Sequence, residues 1–224
     1  MATSDIRLTI LQIVNEVQRR LGVTPTATLT ATKQATMLLD LLNDVIDEVS
    51  DFGDWQELFR ETTVTASSSL GEYEIAVSAP VKNIYEIVYD NNTAPLNVVE
   101  IQDIRRLQRL ASYGVPRQFA VVGVSGVNPK FRVYPIPTTA ATFDIAYYVK
   151  PRIYTTSDAA VLPTFPGRML VMGVYAKALL EENGGESGPQ YTVAYAEYMR
   201  MRQEAANRLT ADTGTDIYMV PTGR

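Results

Sequence analysis

The spacing of apolar residues changes twice along this chain, and this change constrains the fold more than any other feature. Near both ends, apolar residues recur every three or four positions, as in amphipathic helices; in the middle they form short β-branched and aromatic runs typical of strands. We therefore expect an α+β protein in which N- and C-terminal helices form one helical bundle around a central, β-rich, sandwich-like insertion domain. The expected segments are an N-terminal helix pair (1–56), a β-rich domain with one inserted helix (57–162), a C-terminal helix pair (163–210) and an extended C-terminal arm (211–224).

The first predicted helix carries an apolar stripe that runs from Ile6 to Leu21 in steps of three and four residues. Thr3 or Ser4 is expected to be its N-cap, because a hydroxyl oxygen can accept a hydrogen bond from a free N–H group of the first turn. Gly22 is expected to end the helix. The stripe should face the core of the bundle.

A second stripe, from Leu38 to Phe52, predicts a longer helix with an acidic outer face. Carboxylates can gather Mg or Ca, but the spacing here matches no EF-hand loop. A solvated helix face or a charge contact between subunits is favoured, and Asp44, Asp47 and Asp51 are the predicted contact residues. The acidic side chains of this face, opposed by one lysine, Lys33, are Asp40, Asp44, Asp47, Glu48 and Asp51.

The middle of the chain is locally basic. A short helix is predicted between Val98 and Ser112, among the strands, and its polar side carries Arg105, Arg106 and Arg109. Such arginines can bind phosphates or an acidic neighbour, and they can equally form a solvated face. In a homo-oligomer we expect these three residues to meet the acidic second helix of the next subunit.

Composition narrows the possible chemistry. The 224 residues include no histidine and no cysteine, which removes disulfides, thiolate nucleophiles, tetrahedral zinc sites and the commonest general base. Paired carboxylates, a Ser/Lys or Thr pair, and oxygen-ligated Mg or Ca remain available. A cell-wall glycosidase with two carboxylates between Asp40 and Asp54 is therefore an open alternative, although we expect no enzyme and no cofactor.

Charge and hydropathy bear on partners and location. The formal net charge of −5 should repel a nucleic-acid backbone from the molecule as a whole. No apolar run approaches the roughly 20 residues that a membrane span needs, and the first residues do not have the pattern of a secretory signal. We expect a protein that is soluble, does not bind membranes, and is made in the cytoplasm.

Two motifs and a set of tyrosines have simple structural interpretations. Asp212-Thr213-Gly214 matches an aspartic protease tripeptide, but that chemistry needs a second such Asp, so a turn is favoured. The segment Gly123-Val124-Ser125-Gly126 resembles a phosphate-binding loop, but a strand follows it, so a hairpin is favoured. Five tyrosines could form a stacking platform for sugars or bases, as in a carbohydrate-binding module, or pack in the core and interfaces, which is favoured. They are Tyr147, Tyr148, Tyr191, Tyr195 and Tyr198.

Two more helices and an arm are predicted after Pro163. One helix should run from Phe165 to Glu182 and the next from about Gln190 to Leu209, on apolar stripes with three- and four-residue steps. The arm that follows contains the apolar cluster Ile217, Tyr218, Met219 and Val220. This cluster is expected either to dock onto another protein, by strand addition for example, or to fold back on its own subunit.

In this order, the elements resemble the head-to-tail adaptor family of podoviruses, the group that includes the tail tubular protein A type. Each motif is short, and their order along most of the chain carries the resemblance. The motifs are Leu41-Leu42-Asn43-Asp44-Val45 with Asp54-Trp55, Gly114-Val115-Pro116-Arg117-Gln118-Phe119, Phe131-Arg132-Val133-Tyr134-Pro135-Ile136-Pro137, Ile145-Ala146-Tyr147-Tyr148-Val149-Lys150-Pro151, and Leu162-Pro163 leading to Leu170-Val171-Met172-Gly173-Val174-Tyr175-Ala176.

The resemblance implies a structural role in the virion neck, after assembly in the host cytoplasm. Members of that family form a ring, commonly of twelve subunits, that joins the portal to the tail nozzle and lets the genome pass through its lumen. It also implies that the C-terminal arm reaches a portal groove and that the β-domain faces the nozzle. The family has no defined catalytic residues to carry over.

Overall fold

The computed structural model describes residues 7–67, 71–90, 94–110 and 112–212, with side chains as far as residue 207. The chain divides into two compact units, one formed by Met1–Glu57 with Pro151–Arg224 and the other by Leu58–Lys150. We call them the bundle unit and the β unit. Helices from both ends of the chain flank a central β region, so the predicted α+β fold class is confirmed.

The bundle unit is built around one helix that is apolar on all sides. Ten of the 16 residues of that helix, α4, are buried, as expected for a helix surrounded by others. Helices α1, α2 and α5 pack against α4, and α1 also packs against α2. The helices of the chain are α1 (Ile10–Arg20), α2 (Lys33–Phe52), α3 (Ile101–Gln108, in the β unit), α4 (Gly167–Glu182) and α5 (Pro189–Asp212).

Helix α1 starts later than its apolar stripe predicts. Its N-cap is Thr9 and its first residue is Ile10, so the prediction of Thr3 or Ser4 as the N-cap was wrong. The Thr9 hydroxyl accepts a hydrogen bond from the Gln12 N–H, and the Gln12 side chain accepts one from the Thr9 N–H, which together form a capping box. This reciprocal pair outweighs the apolar period, which continues back to Ile6.

The side chain of Asn43, in the middle of α2, holds the segment that leads into α4. Its amide nitrogen donates to the Tyr154 carbonyl oxygen at 2.9 Å, and its amide oxygen accepts from the Tyr154 N–H at 2.8 Å. Asp158 closes the same segment by accepting hydrogen bonds from the Thr155 N–H and hydroxyl. These bonds, with the ion pair to Arg152, hold the pKa of the Asp158 carboxyl below its ordinary value.

The β unit contains two sheets. Strand order is β1-β7-β3 in the first and β2-β6-β5-β4 in the second, with antiparallel pairing everywhere except between β4 and β5. Both ends of the unit pair with each other, since Phe59 of β1 is in register with Tyr148 of β7. The strands are β1 (Phe59–Ala66), β2 (Glu72–Glu74), β3 (Val81–Tyr89), β4 (Asn97–Val98), β5 (Gln118–Ser125), β6 (Asn128–Tyr134) and β7 (Ala141–Val149).

Aromatic rings from both sheets fill the space between them. Tyr73 and Phe131 of the second sheet contact Phe143 of the first, with ring centroids 4.9 Å and 5.4 Å apart. Burial raises the pKa of Tyr73 to about 12, and its hydroxyl donates to the Ser67 carbonyl oxygen. The two sheets therefore pack face to face, as in a sandwich.

The segment around Gly123 and Gly126 forms the connection of a β-hairpin. Strands β5 and β6 pair antiparallel up to Ser125 and Asn128, and Gly126 adopts a positive φ of 64° in the turn. No helix follows this turn, because β6 does. The hairpin interpretation is confirmed and the phosphate-loop alternative is wrong.

Candidate assembly surfaces

The outer face of α2 carries a straight acidic stripe, formed by Asp40, Asp44, Asp47 and Asp51. The four side chains are exposed, and their spacing of four, three and four residues aligns them over about 16 Å of helix. None of the four forms an ion pair within the described ranges. Among the residues that the structure describes, no group of three or more acidic side chains could hold a metal ion.

Glu48 was predicted to belong to this outer face, and that prediction was wrong. It accepts hydrogen bonds from Arg202 at 2.9 Å and from the Tyr198 hydroxyl at 3.4 Å, and it forms an ion pair with Lys177 at 3.4 Å. Arg202 is only 7% exposed, and its guanidinium carbon lies 4.1 Å from the centroid of the Phe52 ring. Burial and the nearby Glu48 charge raise the pKa of Tyr198. Glu48 thus joins α2 to α4 and α5.

One signal in the sequence could have revealed this cluster. Arg202 lies between Tyr198 and Ala205 on the apolar stripe of α5, where a charged side chain needs a partner. Helix α2 supplies that partner through Glu48, one of the acidic residues of a helix that also packs on α4. Sequence reasoning treated all acidic residues of α2 alike, because charge alone does not distinguish the helix flank from its outer face.

Three arginines in and directly after α3 lie on the surface of the β unit. Arg105, Arg106 and Arg109 are exposed, and Ile104 is the one buried residue of this helix. Beside them lies a shallow groove of about 470 Å³. Its lining residues are Leu107, Gly114, Val115, Arg117, Gln118, Tyr134 and Pro135.

A larger groove opens in the bundle unit, between α1 and α5. Its volume is about 710 Å³, and Val171 and Met172 of α4 form an apolar floor. Charged side chains lie along its sides, and arginines outnumber glutamates. These charged residues are Arg19, Arg20, Arg168, Glu16 and Glu197.

The ion pairs of this groove leave it with an excess of positive charge. Glu16 is shared by two arginines, at 3.1 Å from Arg19 and 3.6 Å from Arg20. Glu197 is held by Arg200, whose hydrogen bonds lower the pKa of the Glu197 carboxyl. Sequence reasoning missed this groove, although two consecutive arginines at the end of α1 and Arg168 in an apolar helix were visible signals.

The five tyrosines are divided between the two units. Tyr147 and Tyr148 belong to the β unit and the other three to the bundle unit. Tyr147 is 7% exposed and Tyr198 is 1% exposed, so both are core residues, as favoured. The rings of Phe59 and Tyr85 meet Tyr148 at 64° and 88°, so these three rings form no flat surface for a sugar.

Several residues singled out in the sequence lie outside the described ranges. These are the arm residues Ile217, Tyr218, Met219 and Val220, together with Thr213 and Gly214 of the protease-like tripeptide. Asp212, the first residue of that tripeptide, is the last residue of α5. Across the part of the chain that the structure describes, no helix combines the length and hydropathy that crossing a membrane requires.

Comparison with known proteins adds one match. The family model described as SU10 adaptor protein matches residues 8–224, which is nearly the whole chain and includes both units. A search of curated proteins found no match. Because the matched region contains every helix and strand described above, the resemblance to phage adaptors seen in the sequence motifs is confirmed. The chain belongs to the SU10 adaptor protein family, and it is a structural adaptor protein of a bacteriophage.

Proposed function

We propose that this chain is a head-to-tail adaptor subunit in the neck of a short-tailed phage. Twelve copies form a ring that joins the portal protein to the tail nozzle protein, and the genome leaves the head through the lumen of the ring. The observation that carries this proposal is the family match over residues 8–224. The subunit is assembled in the host cytoplasm and resides in the virion, with no catalytic role and no cofactor.

A ring of more than two copies requires two different contact surfaces on each copy, because a patch that meets itself closes only a dimer. The exposed, unpaired acidic stripe of α2 supplies one candidate surface. The exposed side chains of Arg105, Arg106 and Arg109, in and directly after α3, supply a basic surface that can meet an acidic neighbour. Both surfaces are solvent-exposed in the isolated chain, which supports their use in assembly.

The C-terminal arm is the proposed portal-docking element. Helix α5 reaches Asp212, and residues 213–224 follow it with the apolar cluster Ile217 to Val220. An apolar tetrapeptide of this kind can enter a groove on a partner, where main-chain hydrogen bonds and side-chain pockets hold it. In the proposed neck that partner is the portal protein.

The net charge supports a passive channel. The chain carries a formal charge of −5, so a ring of many copies is strongly acidic overall. A net-acidic ring repels the phosphate backbone as a whole, which favours passage of DNA over binding.

The experiment mixes the purified chain with the portal protein encoded in the same phage genome and measures particle mass and shape by mass photometry and negative-stain imaging. We expect rings, alone or on the portal. Deletion of residues 211–224 should abolish portal binding and leave the circular dichroism of the chain nearly unchanged.

The matched control replaces Thr222, Gly223 and Arg224 with alanine, which leaves the apolar cluster of the arm intact and should leave portal binding intact. A chain that remains monomeric and ignores the portal would contradict the proposal. Cell-wall hydrolysis that is lost in Asp44→Asn, or glycan binding by the full chain, would then support the enzyme or the carbohydrate-binding alternative instead.

A further inference from the structure

We propose that the groove between α1 and α5 receives the acidic stripe of α2 from a second copy of this chain. This inference rests on the adaptor function proposed above and names a contact by which the copies assemble. In this contact, the stripe of one copy faces the arginines of the groove of the next copy. The stripe residues are Asp40, Asp44, Asp47 and Asp51, and the groove residues are Arg19, Arg20 and Arg168.

The arrangement of helices around α4 places the two surfaces on opposite sides of the bundle unit. Helix α1 packs on α2, and α2 is joined to α5 through the bonds of Glu48 with Tyr198 and Arg202. The remaining sector around α4, between α5 and α1, is the groove. Because α2 lies across α4 from this sector, its outer face points away from the groove of its own copy.

Surfaces on opposite sides of one body join copies head to tail. If α2 of one copy fills the groove of the next, α4 of that copy is surrounded by four helices, its own three and one from its neighbour. Each copy then gives one α2 and receives one, so the contact is heterologous and repeats along the assembly. An isologous dimer does not satisfy both surfaces of each copy at once.

The charges of the two surfaces are complementary. Asp40, Asp44, Asp47 and Asp51 have no cationic partner within the described residues of their own copy, so they bring four negative charges. On the groove, two arginines share the one carboxylate of Glu16, and Arg168 forms no ion pair among the described residues, although its charge acts on Glu197, which Arg200 binds directly. Exposed guanidinium groups pair well with carboxylates, since they offer two parallel hydrogen bonds.

The apolar parts of the surfaces also correspond. Met37 and Leu41 of α2 are half-buried and flank the acidic stripe on one side. The floor of the groove contains Met172, and Met201 of α5 lines its side. The part of α1 that lines the groove, from Gln12 to Arg20, is about 12 Å long, comparable to the 16 Å stripe. Val171 and Met172 are already only 2% and 9% exposed, so a helix on this groove would bury chiefly its own Met37 and Leu41, between rows of opposite charge.

Cross-linking tests the contact directly. The chain contains no cysteine, so only introduced thiols react with a short bis-maleimide. Asp44→Cys combined with Arg168→Cys should give a ladder of covalent dimers, trimers and larger species, because each copy links to two neighbours. A chain with only one of the two cysteines should give no covalent species larger than a dimer. We expect no cross-link within one copy, because α2 packs on one side of α4 and Arg168 lines the groove on the other side.

The matched control pairs Asp44→Cys with Arg105→Cys, which samples the arginines of α3 instead. A ladder from this control and none from the first pair would overturn the inference and assign the stripe to α3. No ladder from either pair, in a chain whose copies assemble, would also overturn it. In both cases the adaptor role itself would stand.

Charge reversal gives an independent test with a distinctive mixing result. Asp44→Lys with Asp47→Lys reverses the stripe, and Arg19→Glu with Arg168→Glu reverses the groove. Each double variant should need at least about tenfold more protein for half-maximal assembly, because like charges then face each other. An equimolar mixture should assemble as wild type, since each reversed surface meets its reversed partner in alternating copies.

The outcomes separate failure of the contact from failure of the function. If wild type assembles and both reversed variants assemble equally well, the groove contact is wrong and the adaptor proposal stands. If the equimolar mixture of the two reversed variants assembles no better than either variant alone, the groove contact is likewise wrong. If wild type forms no assembly, alone or with the portal, the adaptor proposal and this inference both fail.

Discussion

At Gly173, helix α4 comes so close to its neighbours that no side chain fits. A Cβ atom there would lie 2.7 Å from Val45 Cγ1 of α2 and 2.9 Å from Tyr198 Cε2 of α5. We expect Gly173→Ala to lower the free energy of unfolding by about 1–3 kcal/mol through overpacking, as measured by urea denaturation. Gly53→Ala is the control, because open space surrounds Gly53, and unchanged stability of Gly173→Ala would contradict the expected clash.

Asn43 is the second residue on which the bundle unit depends. Its amide satisfies both the N–H and the carbonyl of Tyr154, a residue that is 4% exposed. Asn43→Ala leaves both main-chain groups without these bonds, so we expect a loss of about 1–3 kcal/mol in the free energy of unfolding. Asp40→Ala, on the exposed face of the same helix, should change it by less than about 0.5 kcal/mol. Equal effects would show that the bonds to Tyr154 contribute nothing.

At the scale of elements, α2 and α5 depend on one ion cluster. Glu48→Gln removes the carboxylate that compensates the buried Arg202, so we expect a loss of about 1–3 kcal/mol in thermal or chemical unfolding. The control is Arg200→Gln, which breaks exposed pairs with Glu197 and Glu204 on α5 and should lower the stability much less, because solvent screens these charges. The prediction fails if the two variants are equally stable.

The two sheets of the β unit should weaken at high pH. Tyr73 has a pKa of about 12 in the folded protein against 10.0 for a free tyrosine. A raised folded pKa gives stability that is complete below pH 10 and is lost as the pH rises toward 12. Unfolding by urea at pH 9 and pH 11 should therefore show a larger loss for wild type than for Tyr73→Phe. An equal loss of stability in wild type and in Tyr73→Phe would show that other titrating groups cause the effect.

Most elements could be predicted from local patterns, and the exceptions have physical causes. Helices α4 and α5 begin and end within a few residues of their predicted limits, because their stripes are bounded by Pro166, Asn183 and Pro189. The start of α1 was missed, since apolar spacing runs through Ile6 whereas the capping box at Thr9 and Gln12 fixes the first turn. Periodicity reports which face is buried, and capping decides where a helix begins.

For the candidate surfaces, the sequence identified charges and the structure identified their surroundings. The stripe of α2 and the arginines of α3 follow from helical spacing, so both were predictable. The groove was not, because it is formed by α1, α4 and α5 together, and Arg19 and Arg168 are far apart in the chain. Glu48 was assigned to the wrong face for the same reason, since its partner Arg202 is also distant in sequence.

At the scale of the whole molecule, the β unit should fold without the rest of the chain. Its residues are contiguous, and its first and last strands pair in register from Phe59 and Tyr148 to Ala66 and Ala141. We expect a fragment of residues 58–150 to give dispersed NMR amide signals and cooperative unfolding. The remaining bundle unit, with Glu57 joined to Pro151 by a short Gly/Ser linker, should keep its helical circular dichroism. A fragment that stays unfolded would contradict this autonomy.

The pairing of Phe59 with Tyr148 has a consequence for how such genes change. The chain enters the β unit just before Phe59 and leaves it just after Tyr148, and these two residues are paired neighbours. A foreign segment whose two ends are adjacent could therefore replace residues 58–150 without stretching the chain. Recombination at only two codon positions would then exchange the whole β unit and leave the bundle intact. We expect related phage genes to show mosaic boundaries near these two positions, with the two parts inherited from different ancestors.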